Sequence, residues 1–103
     1  DYARFLQLFL NKGELDGVRL LSPKTVDLML TEQLPTMATE VGLGFGLETP
    51  SNDHLSPRAL GSFNWGGAFN TTYWAYPANG MVAQIYTNMM RPSGPNLAAR
   101  FNT

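Results

Sequence analysis

The residue types best suited to chemistry in this sequence are grouped in Trp65-Gly66-Gly67-Ala68, which ends a short apolar strand pattern that begins at residue 61. One large ring stands here beside two residues without side chains, so a bulky group has room to lie against the backbone. We interpret this segment as one wall of an active site. The alternative interpretation is a strand end with a β-bulge, which needs no substrate.

A complete nucleophile is not evident beside this wall. A serine is activated when a base lies within hydrogen-bond reach, and Ser22-Pro23-Lys24 places its lysine only two residues after the serine. His54 is the single histidine, and its loop is rich in Asn, Asp and Ser, so we expect its side chain to be exposed to solvent. We therefore expect the chemistry to need residues that this chain does not contain.

Composition excludes several classes of function. The 103 residues suffice for one domain, and the net charge of −1 gives no electrostatic footprint for nucleic acid or an anionic membrane. No apolar run approaches the roughly 20 residues of a membrane span. A chain without cysteine and with one histidine has neither a disulfide framework nor a thiolate or His-rich metal site. The lack of cysteine also means that the sequence does not indicate an oxidising or a reducing compartment. The hydrophobic fraction of 44% against 15% charged residues suggests that some apolar surface is covered by another segment.

Two helices are predicted ahead of this wall. The first covers residues 1–11, because its apolar residues recur with a helical period and form one stripe. The second starts at Ser22-Pro23, with Ser as N-cap and Pro at the first helical position, and should end before Leu34-Pro35. A turn centred on Asp16-Gly17 lies between the two helices. The stripe of the first helix consists of Tyr2, Phe5, Leu6, Phe9 and Leu10.

The remaining patterns predict an antiparallel sheet. Residues 42–47 alternate glycine with large apolar residues, which is typical of a strand with one bare face. Residues 61–68, 69–76 and 81–88 give three further strands, and Asn79-Gly80 favours the turn that joins the last two into a hairpin. Residues 49–60 read as a surface loop and residues 96–101 as the start of a helix with Asn96 as N-cap. The expected fold class is α+β, an antiparallel sheet flanked by helices.

Three stretches of the chain, taken together, resemble the C-terminal part of the serine β-lactamase-like hydrolases. This family includes class C β-lactamases, D-alanyl-D-alanine peptidases and family VIII-type esterases. The matching stretches are residues 13–22, 42–46 and 61–67, followed by the aromatic-rich hairpin. Their order and spacing extend the resemblance over nearly the whole chain.

The resemblance implies roles for the proposed wall. The third active-site motif of the family reads Lys-Thr-Gly in β-lactamases and often His-x-Gly or Trp-x-Gly in esterase-like members, and Trp65-Gly66-Gly67 matches the last form. An acyl group would lie along this bare strand, and the backbone N–H of Ala68 would be one of two oxyanion-hole donors. Since Trp65 replaces the lysine that would anchor a carboxylate, the resemblance points to neutral esters rather than β-lactams.

The resemblance also identifies what the chain lacks. The family uses a Ser-x-x-Lys nucleophile and a Tyr-x-Asn or Ser-x-Asn second motif, both upstream of the third motif, and Ser-x-x-Lys does not occur here. Tyr86-Thr87-Asn88 and Ser62-Phe63-Asn64 match the second motif by letters, but the former follows the third motif and the latter abuts it. We interpret both as chance matches within strand patterns.

We therefore predict that residues 1–103 are a single C-terminal segment of a β-lactamase-like domain, an excised piece that begins inside a helix at Asp1. It would belong to a serine hydrolase that works through an acyl-enzyme on a small ester or β-lactam substrate, with no metal or organic cofactor. An upstream chain or segment would supply the nucleophile, and this chain alone would be inactive and prone to self-association. The sequence does not distinguish between the bacterial cytoplasm and the periplasm as its location. The alternative is a non-catalytic binding or assembly module with the same fold.

Overall fold

The fold, seen in a computed structural model that describes residues 1–36, 40–90 and 100–101, is an antiparallel sheet with helices packed on it. This confirms the predicted α+β class. In chain order the elements are α1 (Tyr2–Leu10), β1 (Glu14–Leu15), β2 (Val18–Arg19), α2 (Pro23–Met29), β3 (Gly46–Leu47), β4 (Phe63–Gly66), β5 (Thr72–Tyr76) and β6 (Met81–Ile85). Strands β3 to β6 form one four-stranded sheet in the order β3-β4-β5-β6, and β1 and β2 form a separate two-stranded hairpin.

Helix α1 covers one face of the sheet. Its predicted stripe is confirmed at Leu6 and Phe9, which are buried, while Tyr2 and Phe5 at the start of the helix stay partly exposed. Leu8 lies off that stripe and is nevertheless buried. The helix therefore buries a wider face than its periodicity alone indicates.

The predicted turn at Asp16-Gly17 closes the β1–β2 hairpin. Asp16 and Gly17 both adopt positive φ angles, of 51° and 78°. Two consecutive residues of this kind give the turn whose twist matches that of the flanking strands. The strand pairing itself was not predicted, because two-residue strands carry no periodic signal.

Helix α2 begins where the sequence predicts. The Ser22 hydroxyl accepts a hydrogen bond from the Thr25 N–H at 3.0 Å, and Pro23 is the first helical residue. Val26 is fully buried in the core. The helix ends at Met29, well before Leu34-Pro35, and so satisfies the predicted limit.

The predicted strand over residues 42–47 is wrong for most of its length. Only Gly46–Leu47 are extended, and the Gly42 N–H donates to the Phe45 carbonyl in a tight turn in which Gly44 has a φ of 87°. A Cβ on Gly42 would lie 2.2 Å from the Met29 carbonyl oxygen, so close backbone approach accounts for that glycine. The alternating glycines belong to a turn here, because Gly42 is required by a close backbone contact and Gly44 by its positive φ.

The β4–β5–β6 meander is the part of the fold that the sequence predicts best. Trp65 pairs with Tyr73 across β4 and β5, and Thr72 pairs with Ile85 across β5 and β6. The hairpin between β5 and β6 closes as predicted, with Gly80 at a φ of 66°. Strand β5 starts three residues later than the predicted run from residue 69, because Asn70 turns the chain with a φ of 59°.

The core lies between this sheet and the two helices. Within it, Phe45 packs edge-on against Phe9 and Phe63, with ring centroids 4.8 and 5.0 Å apart. The buried core residues are Leu6, Phe9, Val26, Phe45, Leu47, Phe63, Tyr73 and Ala75.

The opposite face of the sheet is covered in part by Phe101. Trp74 points to this face, and its ring lies 4.6 Å from that of Phe101, which is helical together with Arg100. The predicted N-cap at Asn96 lies outside the described residues. Among the helices that the structure describes, none has the length and apolar character needed to cross a membrane.

Candidate active site

The Trp-Gly-Gly segment lies at an open edge of the sheet. Strand β3 pairs only with Phe63 and Asn64 of β4. On that side Trp65 and Gly66 therefore have no strand partner within the described part of the chain, while on the other side they pair with β5. An open edge of this kind presents backbone N–H and C=O groups to an added extended segment.

The backbone N–H of Ala68 lies in the turn that follows β4. The Asn70 N–H donates to the Gly67 carbonyl at 3.2 Å and closes this turn, which makes Ala68 its second residue. A turn of this type leaves the N–H of its second residue unused. Among the described residues, the Ala68 N–H donates to no acceptor, and Ala68 is exposed.

Both glycines are packed tightly against Thr71. A Cβ on Gly66 would lie 3.0 Å from the Thr71 carbonyl oxygen, and a Cβ on Gly67 would lie 2.5 Å from the Thr71 hydroxyl oxygen. Real Cβ atoms essentially never come as close as the distance at Gly67, and the distance at Gly66 is shorter than that of most real Cβ contacts. The turn itself therefore accounts for two small residues, whether or not a substrate lies against them.

Two side chains tie this turn to the segment that follows β6. Asn70 is 1% exposed and donates from Nδ2 to the Met89 carbonyl at 3.2 Å. The Thr87 hydroxyl donates to the Phe69 carbonyl. The turn that carries the Ala68 N–H is thus held at two points by the segment that follows β6, which limits how far that N–H can move.

A cavity of about 220 Å³ opens beside the Trp-Gly-Gly segment. Its lining combines aromatic rings from three parts of the chain with the small residues of the β4–β5 turn. The aromatic lining residues are Tyr2, Trp65, Tyr73 and Tyr86. The small lining residues are Gly66, Gly67, Thr71 and Thr72.

The lining of this cavity carries no charge in the part of the chain that the structure describes. None of its described lining residues is Asp, Glu, Lys, Arg or His. Burial, and then the neighbouring Tyr2 hydroxyl, raise the pKa of the Tyr73 phenol well above its ordinary value. Tyr73 consequently stays uncharged at any physiological pH, and the cavity offers hydroxyl and indole donors but no fixed charge.

The predicted wall residues thus fall into two groups. Trp65, Gly66 and Gly67 line one cavity, and Ala68 follows them in the turn without lining it. The structure also brings Tyr2, Tyr73 and Tyr86 to this cavity, and the sequence did not identify them as site residues. A signal for Tyr73 does exist, since the hairpin register places it opposite Trp65. Tyr2 carried no such signal, because only tertiary packing brings α1 to this edge.

The other candidate side chains lie elsewhere. The Ser22 hydroxyl caps α2, and His54 is exposed in a short 3-10 helix, Asp53–Leu55, as predicted. Ser62 is 1% exposed and donates its hydroxyl to the Ala59 carbonyl, which gives it a structural role. Tyr86 alone among the letter matches to the second motif reaches the cavity.

A second, more polar cavity of about 450 Å³ lies beyond β3. Its central feature is a buried ion pair in which the Arg58 Nε lies 3.2 Å from a carboxylate oxygen of Glu48. The Ser56 hydroxyl donates to the same carboxylate at 2.8 Å. Among the residues that the structure describes, no group of three or more His, Cys, Asp or Glu side chains is arranged to hold a metal ion.

Comparison with known proteins identifies the family. The family model for beta-lactamase matches residues 1–102. Two curated relatives, both from Mycobacterium tuberculosis, are the uncharacterized protein MT1414 of strain CDC 1551 and protein Rv1367c of strain H37Rv. Each is 36% identical to this chain over an alignment 98 residues long. The match covers 80% of this chain and 24% of the relative. The chain therefore spans about a quarter of the length of these curated relatives. Because the family model extends over nearly all of its length, the chain belongs to the beta-lactamase family of serine hydrolase-like proteins.

Proposed function

We propose that residues 1–103 are the C-terminal segment of a serine hydrolase that works through an acyl-enzyme and acts on small neutral esters. The segment would supply the strand against which the acyl group lies and one oxyanion-hole donor, the Ala68 N–H. The observation that carries this proposal is the uncharged cavity beside Trp65-Gly66-Gly67, at an open strand edge. Class C β-lactamase and D-alanyl-D-alanine peptidase activities are less consistent with it, since no described lining residue would hold a substrate carboxylate.

The position of Ala68 supports the role of its N–H. An oxyanion-hole donor acts on charge that develops on the carbonyl oxygen during attack, and losing one donor costs roughly 3–4 kcal/mol of barrier. Such a donor must be free of internal acceptors and held in place before the reaction. The Ala68 N–H meets the first condition within the described residues, and the contacts of Asn70 and Thr87 meet the second.

The nucleophile would come from outside residues 1–103. This sequence contains no Ser-x-x-Lys, and the curated relatives are about four times longer than the part they share with it. We propose that an upstream segment or chain supplies the nucleophile and its base and packs beside the open edge of β4. The mechanism would need no metal or organic cofactor.

A fluorophosphonate probe tests the proposal, because it reacts covalently with an activated serine. We expect the probe to label the longer protein that carries this segment, at a serine outside residues 1–103, and a neutral aryl ester to slow that labelling. Residues 1–103 alone should stay unlabelled, as should heat-denatured longer protein. Failure to label the folded longer protein would overturn the hydrolase assignment, and a labelled serine within residues 1–103 would overturn the assigned division of roles.

The alternative, a non-catalytic binding or assembly module, has one observation in its favour. Gly66 and Gly67 are both explained by their close contact with Thr71, which needs no substrate. A module of this kind would keep the cavity and give no labelling in the same experiment.

A further inference from the structure

The aromatic side chains at the cavity border one hollow, and two of them also pack against each other. Trp65 and Tyr73 are direct partners across β4 and β5, so their side chains stand on the same face of the sheet. The Tyr2 ring lies 5.1 Å from the Tyr73 ring, inclined by 45°. Tyr86 follows β6 immediately and lines the same cavity. Such rings offer both faces and edges to a guest ring.

Two of these rings are unusually exposed for their size. Trp65 is 53% exposed and Tyr86 is 62% exposed, although both border a concave site. By contrast, Trp74 on the opposite face is 4% exposed. A ligand that covers these exposed aromatic side chains removes apolar area from water, and this burial favours binding.

The size of the cavity limits what it can hold. A dry apolar cavity of about 150 Å³ suffices to bind benzene, whereas drug-sized ligands occupy about 300–1,000 Å³. The cavity beside Trp65 has a volume of about 220 Å³. One six-membered ring with a short substituent fits this volume.

The charge of the cavity limits the chemistry of that ring. A carboxylate placed against these uncharged side chains would lose its hydration without gaining a cationic partner, which is costly. The hydroxyl groups of Tyr2 and Tyr73 can satisfy one neutral polar group such as an ester or amide oxygen. The cavity therefore favours a neutral ring over an anionic one.

We propose that this cavity is a subsite for one uncharged aromatic ring of the substrate, held between Trp65, Tyr73 and Tyr86. The proposal rests on the proposed hydrolase function, since it specifies the ester as one that carries a single aryl group. Specificity then comes from ring shape and from the absence of charge.

The binding of acetanilide to the longer protein that carries residues 1–103 tests this proposal without any hydrolysis, because acetanilide is the amide counterpart of a phenyl ester. Isotope-labelled indole N–H signals report on Trp65 and Trp74 separately. The signals lost in the Trp65→Phe and Trp74→Phe variants assign the two. We expect acetanilide to shift the Trp65 signal and to leave unchanged that of Trp74, which contacts Phe101 on the other face.

Two comparison probes separate an aromatic subsite from a merely apolar one. N-cyclohexylacetamide has nearly the same size without a π-system, and we expect it to bind about 2- to 10-fold more weakly, which is the worth of one aromatic pair. Acetamidobenzoate carries a negative charge and should bind more weakly still. Equal binding of the phenyl and cyclohexyl probes, or a shift at Trp74 with none at Trp65, would overturn the proposal.

A variant of Tyr86 tests one ring of the proposed subsite, and the fold should tolerate it because this side chain is exposed. Tyr86→Ala should weaken acetanilide binding at least about threefold, since it removes one ring from the cavity. Met81→Ala, at the other end of β6 and also exposed, is the matched control and should leave binding unchanged. Unaltered binding in Tyr86→Ala would contradict the subsite. The two proposals can fail separately. A protein that binds acetanilide but is not labelled by fluorophosphonate would have the ring subsite without being a serine hydrolase.

Discussion

Gly67 and Thr71 are in such close contact that a single added carbon at Gly67 would lie 2.5 Å from the Thr71 hydroxyl oxygen. The Gly67 N–H also donates to the Thr71 carbonyl at 2.8 Å, which fixes the distance between the two residues. A side chain at Gly67 would therefore force the Thr71 hydroxyl out of its present position. This relationship offers a way to separate a structural need for glycine from a need imposed by a substrate.

Gly67→Ala should destabilise the fold by about 1–3 kcal/mol, the usual cost of forcing extra volume into a packed site. Thr71→Ala removes the atom in conflict, so the double variant should recover most of that loss. Urea unfolding of the two single variants and the double variant measures the coupling, which should reach at least about 1 kcal/mol. Additive effects would show that the conflict with Thr71 is not the reason for the glycine.

The buried amide of Asn70 should be the main restraint on the turn that carries Ala68. Asn70→Asp keeps the size and tolerates the positive φ, but it removes the Nδ2 donor to the Met89 carbonyl. Asn70 is 1% exposed, so the variant buries a carboxyl oxygen that faces the Met89 carbonyl with no donor between them. Leaving a buried polar group unpaired costs about 1–3 kcal/mol, and more for a charged group, so the free energy of unfolding should fall by at least that amount.

The matched control is Asn88→Asp, an identical change at an exposed position nearby, which should stay within about 0.5 kcal/mol of the parent. Chemical denaturation measures both variants. Similar losses in the two variants would mean that the Asn70 amide does not hold the turn.

Local signals explain the parts of the fold that the sequence predicted well. Ser22-Pro23 supplies both a cap and a preorganised first helical residue, and Gly80 supplies the positive φ of the β5–β6 turn. Each of these features depends on residues within a few positions, so the sequence alone suffices to find it. Trp65-Gly66-Gly67 line one cavity and are contiguous in the sequence, and their role as an active-site wall stays a prediction.

Tertiary contacts explain the parts that the sequence missed. Gly42 is required by the distant Met29 carbonyl, and a period-two reading interpreted this glycine as one face of a strand. Tyr2 reaches the cavity only because α1 packs across β5, which no pattern near residue 65 reveals. A site assembled from distant segments is invisible to periodicity, even where each segment is correctly assigned.

Breaking the ion pair between Glu48 and Arg58 should cost far more stability than breaking a surface pair. The Glu48 side chain is 3% exposed and that of Arg58 19%, so Arg58→Met would leave a buried carboxylate without its partner. Removing one member of a buried pair costs about 3–5 kcal/mol.

Arg4→Met is the matched control, because Arg4 pairs with Asp16 where both side chains are mostly exposed. Its cost should be no more than about 1 kcal/mol, and high salt should reduce it further. Thermal or urea unfolding at low and high salt compares the two variants. Equal costs would show that burial of Glu48 does not amplify its pairing with Arg58.

The raised pKa of Tyr73 predicts an alkaline limit to stability. Burial is the main cause of that raised pKa, with a smaller contribution from the Tyr2 hydroxyl, while an unfolded tyrosine ionises near pH 10. Stability from Tyr73 is therefore fully present below about pH 10 and is lost as the pH rises towards the folded-state pKa, by up to about 1.4 kcal/mol per pH unit. Tyr73→Phe should flatten this decline, since phenylalanine has no proton to lose, whereas Tyr86→Phe at an exposed site should not. Unfolding free energies measured between about pH 9 and about pH 11 give the slope of stability against pH for each variant. An unchanged slope in Tyr73→Phe would assign the alkaline loss of stability to another group. Tyr76 is such a group, because burial also raises its pKa.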